Sequence, residues 1–163
     1  MSDSQKQKDI TLPGEIVSPR DIQALIADLQ SVDHFLLQAR VRTPGTKMSL
    51  PHTTAKLETL AKANQLRLLH DDDRRELALS LHRIDVHAPK MRFTFATHPS
   101  PSQLTEFVGW LRATFHPHLL LFYSIKPTIG AGCIIKTPKR AIDLSHDSLL
   151  QQHHAELAQL LKP

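Results

Sequence analysis

Cysteine is nearly absent from this 163-residue chain, with Cys133 standing alone. One thiol builds no disulfide framework and no cysteine zinc set, so the composition suits a reducing compartment. Aromatic residues are only 5% of the chain, with one Trp and one Tyr, which leaves few rings for stacking on nucleic-acid bases. No apolar run is long enough to cross a bilayer, and the opening MSDSQKQKDI has no apolar signal-peptide core. A strong charge of one sign is missing too. Twenty Lys and Arg against sixteen Asp and Glu give a net charge of +4, and the cations are scattered. A dispersed excess of that size fits an ordinary solvated surface, with an acidic partner or nucleic acid as the alternatives.

The most legible stretch is PTIGAGCIIKTPKR, residues 127–140, whose glycines and Lys136-Thr137 invite a phosphate-loop reading. A P-loop needs glycine directly before its lysine, so that backbone N–H groups turn onto the phosphate, and a helix directly after it. Ile135 occupies that glycine position, and Pro138 removes a donor and pushes Thr137 towards extended geometry. The dinucleotide fingerprint fails at the same Ile135. Cys133-Ile134-Ile135 reads instead as a short strand entered from a glycine-rich bend.

Residues 1–17 are polar at first and end near Pro13-Gly14, and are expected to form a flexible lead-in. Ser18 then caps a helix with Pro19 at its first position and Asp21 complementing its dipole. Ile22, Leu25, Ile26, Leu29, Val32 and Leu36 follow at helical spacing. A second helix is predicted over 53–65, with Leu57, Leu60 and Ala61 inward. A third begins at Asp71-Asp72-Asp73, carries Leu77, Leu81 and Ile84, and ends before Pro89. The pattern then changes. Residues 91–96 alternate with period two, as a half-buried strand does. A helix capped by Ser100 or Ser102 holds Leu104, Phe107, Val108 and Leu111. The continuous run 119–123 has the pattern of an interior strand. Strands over 133–137 and 141–143 follow, and Ser145 or Asp147 opens a last helix with an apolar stripe of Leu149, Leu150, Leu157, Leu160 and Leu161. The expected fold class is α+β. A helical unit over 18–88, of about three helices, precedes a small mixed sheet packed with helices over 89–163, in the order β-α-β-β-β-α.

The line Lys126-Pro127-Thr128-Ile129, Ala131-Gly132, Cys133-Ile134-Ile135-Lys136, Lys139-Arg140 and Ile142-Asp143-Leu144-Ser145 resembles a signature of the ATP synthase delta subunit family (OSCP in mitochondria). In the C-terminal domain of that family, Asp-Pro-Ser-Leu/Ile leads to a Gly-Gly bend, a hydrophobic strand and a basic turn. Ile-Asp-Gly-Ser then opens a leucine-rich terminal helix. The spacing from Gly132 to Asp143 and Ser145 fits without a gap, and the resemblance runs from Met91 to the end. Lys126 stands for the family's Asp, Ala131 for its first Gly and Leu144 for its last Gly. The N-terminal part departs further, with room for about three helices where the family has six. Stators of V/A-type and export ATPases end in a similar arrangement.

The resemblance implies a non-catalytic peripheral-stalk subunit with no cofactor. Its helical unit would contact the alpha/beta catalytic head of an F-type ATP synthase, and its C-terminal unit the b subunit. It would lie on the cytoplasmic face of the membrane, held there through the complex. Partner-facing candidates are Ile22, Leu25, Ile26 and Leu29 on the first helix and Leu149, Leu150, Leu157, Leu160 and Leu161 on the last. For most of the latter, covering the protein's own sheet is the favoured role. Pro127, Ala131, Gly132, Asp143 and Ser145 are expected to be structural: Gly132 bends the chain, Asp143 holds N–H groups ahead of the last helix, and Ser145 caps it.

Other residues invite chemistry and have plainer explanations. The eleven His include His116, His118, His153, His154 and His70, but none has the spacing that places two imidazoles on one helical face. Cys133 lies in an apolar run, where a thiol is buried and inert. Asp71, Asp72 and Asp73 point in different directions from a helix and suit its N-terminus. An RNA platform built on Phe93, Phe95 and Tyr123 is the competing reading, without the matching sequence pattern.

Overall fold

The computed structural model describes residues 10–42, 49–137 and 141–145. Helix α1 (Pro19–Arg42) starts where its cap residues require. The Asp21 N–H donates to Ser18 Oγ at 3.3 Å, and the Ser18 N–H donates back to Asp21 Oδ2 at 2.8 Å, so two orphan donors are satisfied reciprocally. Helix α2 (Ala55–Ala63) is capped by Thr54, and α3 (Asp71–His87) opens at the three aspartates. The stripes predicted from spacing meet here: Ile22, Leu25, Leu29, Val32 and Leu36 pack with Leu57, Leu60, Leu77, Leu81 and Ile84.

Strand β1 (Lys90–Phe95) is followed by α4 (Pro101–Thr114), β2 (Leu120–Ile125), a single 3-10 turn (Pro127–Ile129), β3 (Gly132–Lys136) and β4 (Ala141–Ser145). Pro101 sits at the start of α4 behind a full capping box of Ser100 and Gln103. The sheet order is β2-β1-β3-β4. β1 and β2 are parallel, as the α4 crossover demands, and β3 and β4 add antiparallel. The α+β class expected from the pattern is the observed one.

Three expectations need correction. The 119–123 run does not form an interior strand, because β2 lies at the edge of the sheet. Its apolar run reflects burial on both faces, Leu120 in the helical cluster and Leu119 and Leu121 in the cluster under α4, while Phe122 and Tyr123 are exposed. Residues 10–17 are not a loose lead-in: Ile10, Leu12, Ile16 and Val17 are buried. Finally, the return strand expected over 141–143 continues to Ser145, which leaves Asp143 in mid-strand opposite Ile134. The last helix expected after it, with Leu149, Leu150, Leu157, Leu160 and Leu161, lies outside the described residues, as do residues 1–9.

The helical and sheet layers are tied together. Leu120 of β2 belongs to the helical cluster, and Val17 belongs to the cluster of Phe93, Val108, Leu111, Leu119 and Leu121 between α4 and the sheet.

Candidate interaction surface

The tie between the layers is a strap formed by residues 10–17, and each of its polar backbone groups named below has a side-chain or strand partner. Asn64, just past α2, reads the strap like a strand would. Its Oδ1 accepts from the Thr11 N–H at 2.7 Å, and its Nδ2 donates to the Thr11 carbonyl at 2.9 Å. From the other layer, Arg112 on α4 donates to the carbonyls of Leu12, Pro13 and Ile16 and to that of Leu119. His118 contacts the Ile10 carbonyl at 2.8 Å through Nε2. The Leu121 N–H, directed away from β1, donates to the Val17 carbonyl at 2.9 Å, so the strap also covers part of the β2 edge. Burial lowers the Arg112 pKa to about 10. At neutral pH the group is still a cation, and its charge strengthens the bonds to these carbonyls.

The motif region forms a bent hairpin. Gly130 and Gly132 have positive φ, 70° and 90°, whereas Ala131 between them does not. The bend that the resemblance places at residues 131–132 therefore rests on glycines at 130 and 132, which adopt that backbone without a Cβ penalty. Cys133 is half-buried on β3. Burial, and then the nearby Asp143 carboxylate, raise its thiol pKa, which disfavours the reactive thiolate. Pro127 opens the 3-10 turn, and Ile129 behind it is buried. An open cleft of about 420 Å³ lies between this bend and the start of α4, lined by residues including Phe95, His98, Phe107 and Gly132.

The other candidates separate in space. Asp71 accepts from Arg40 and Arg74, and Asp73 from the Arg67 N–H, so these carboxylates diverge. The bond from Arg40, then that from Arg74, lowers the Asp71 pKa. His116 and His118 have rings 5.8 Å apart, and among the described residues no three His, Cys, Asp or Glu side chains are grouped to hold a metal ion. Phe93, Phe95 and Tyr123 lie on the sheet face that α4 covers, with Phe93 fully buried and 5.0 Å from the Phe107 ring. Phe93 is therefore closed to a stacking base, whereas Tyr123 stays exposed. The opposite face presents Arg92, whose guanidinium lies 5.9 Å from the Phe122 ring centre, and a Thr94–Ser124 hydroxyl pair.

Ile22, Leu25 and Leu29, expected to face a partner, are buried in the chain's own core, and Ile26 packs against it. The physical reason is that one apolar stripe on α1 serves α2 and α3 and is used up there. Exposed apolar side chains remain elsewhere, among them Val41 on α1, Leu79 and Val86 on α3, and a pair of rings at the end of α4. Trp110 (56% exposed) stacks on Phe107 at 6.2 Å and meets the edge of Phe115 (60% exposed) at 6.0 Å. Sequence reasoning passed over Trp110, although its spacing of three from Phe107 puts both on one flank of a helix. No family model and no curated protein matches this chain.

Proposed function

We propose that the protein is a non-catalytic peripheral-stalk subunit, similar to the delta subunit of F-type ATP synthase, that links a catalytic head to the b-subunit stalk and resists rotor torque. The observation that supports this most is Gly132. It opens β3 at φ 90° within the strand-helix-strand-hairpin order of the C-terminal half, at the position that the resemblance aligns with the family's glycine bend. A stator performs no chemistry. It needs stiffness between its two attachment points, and the strap supplies such stiffness by engaging Asn64 of the helical layer and Arg112 and His118 of the sheet layer together.

The partner surface in this reading is the exposed ridge of Trp110 and Phe115, since an aromatic pair of this kind is the usual anchor of a protein interface. The helical layer would face the head. No helix among the described residues is long and apolar enough to cross a membrane, so attachment to a membrane would run through the complex. The test is gel filtration of the tagged protein with its cognate catalytic head and the soluble part of the b subunit. Co-elution that Trp110→Asp abolishes, with an unchanged melting temperature, is the expected result. A folded protein that separates cleanly from both partners would sink the stator reading.

A further inference from the structure

The outer edge of β2 is only partly covered. Leu120 and Lys126 donate to the carbonyls of Pro89 and Phe95, at the two ends of β1. The even-numbered residues of β2 therefore bond to β1, and the backbone groups of the odd-numbered ones point outward. Leu121 is the first of these, and its N–H is taken by Val17 of the strap. The strap follows this side of the sheet from Ile10, beside His118, to Val17, and then turns into α1. The N–H and carbonyl groups of Tyr123 and Ile125, next along the same edge, have no partner among the described residues. Such a row of open groups is a template for a further strand.

An open cleft of about 760 Å³ lies beside Tyr123, between the start of α1 and the start of α4. Val17, Leu104 and Tyr123 supply its apolar lining. Its charged groups are Glu15, Asp21, Glu106 and Lys56, and Lys56 is already paired with Asp21. Glu15 and Glu106 are exposed, and neither has a cationic partner among the described residues. The space alongside the open edge is therefore apolar at its centre and carries two carboxylates that are not neutralised.

We propose that an extended, basic segment of a partner protein adds to β2 at Tyr123–Ile125 as a further strand, in the line that the strap leaves at Val17. The open backbone groups fix the extended conformation of the occupant, because a strand ~4.8 Å from β2 meets them and a helix does not. Glu15 and Glu106 fix its charge, by selecting cationic side chains and repelling acidic ones. The site includes neither Trp110 nor Phe115, and the inference does not depend on the stator reading.

The probe is a fluorescein-labelled, amidated Lys-Val-Lys-Val-Lys-Val peptide, with its Glu-Val counterpart as control, titrated against the full-length chain. Anisotropy is expected to show binding of the basic peptide and none of the acidic one. Glu15→Gln with Glu106→Gln, both at exposed positions, is expected to weaken binding about tenfold with an unchanged melting temperature. N-methylation separates strand addition from plain charge attraction. Only one set of alternate amides faces β2, so methylating the Lys amides or the Val amides, but not both, is expected to lose binding about tenfold. Amide exchange at Tyr123 and Ile125 should slow when the peptide is added. No binding of the basic peptide, equal binding of the acidic one, or indifference to both methylation patterns would overturn the proposal. So would protection of Tyr123 that rises with protein concentration alone, since a second copy would then occupy the edge.

Discussion

The Arg112 guanidinium donates to the carbonyl of Ile16, 96 positions earlier in the chain, and three further carbonyls converge on the same group. No carboxylate pairs with it among the described residues, so a half-buried cation is held by peptide dipoles alone. Arg112→Met keeps the apolar stem but strands those carbonyls. It is expected to lower the unfolding free energy by about 3 kcal/mol, since each buried carbonyl left without a donor has a desolvation cost. Urea denaturation measures this, and faster amide exchange at Leu121, whose N–H bonds to Val17, would locate it in the strap. A loss below about 0.5 kcal/mol would mean that water replaces the guanidinium without penalty.

Gly14 lies against α4. A Cβ built on it would come within 2.6 Å of Thr105 Cγ2, and a β-branched side chain has little freedom to withdraw. Gly14→Ala is expected to cost about 1–3 kcal/mol through overpacking. Thr105→Ser removes the offending methyl group, so the double variant should recover most of the loss. A double-mutant cycle in urea tests this, and additive single effects would show that the contact is not responsible.

Gly132 and Ala131 make a paired prediction. With φ at 90°, Gly132→Ala forces a Cβ into a backbone region that L-residues avoid, at about 1–3 kcal/mol. Ala131 has no positive φ, so Ala131→Gly, which restores the glycine pair of the resembled family, is expected to change stability by less than about 1 kcal/mol. Thermal melts of the two variants separate the cases. Equal losses would mean that the bend is set by the surrounding sheet and not by Gly132.

These three sites differ in how well the sequence announced them. α1 was legible because its signals are local: Ser18, Pro19 and Asp21 at the start, then apolar residues at helical spacing. The glycine-entered strand at residue 132 was legible for the same reason. The strap was not. Ile10, Leu12, Ile16 and Val17 gave an apolar hint, but their partners Asn64, Arg112 and His118 lie 53 to 108 positions away, and no local pattern joins them. Arg112 itself reads as an ordinary basic residue in a last helical turn. The run from Leu119 to Tyr123 misled because an edge strand buried on both faces and an interior strand leave the same apolar signature.

Asp21 contributes a pH dependence to the joint between α1 and α2. It is buried enough for desolvation to push its pKa up, yet the bond from Lys56 and those from the Ser18 backbone and hydroxyl outweigh that, and the net shift is downward. A carboxylate with a depressed folded-state pKa adds stability above its ordinary range and loses it as pH falls through the depressed value. The Lys56 ammonium comes from α2, so the same carboxylate caps α1 and fastens α2 to it. Asp21→Asn is therefore expected to cost about 1–2 kcal/mol at neutral pH, from a weakened cap and a lost ion pair. The gap between parent and variant should narrow as the pH is lowered below the ordinary carboxylate range and the parent carboxyl becomes protonated. Urea midpoints at a series of pH values measure it. A gap that persists unchanged in acid would assign the loss to side-chain geometry, and the charge of Asp21 would then contribute nothing to the joint between α1 and α2.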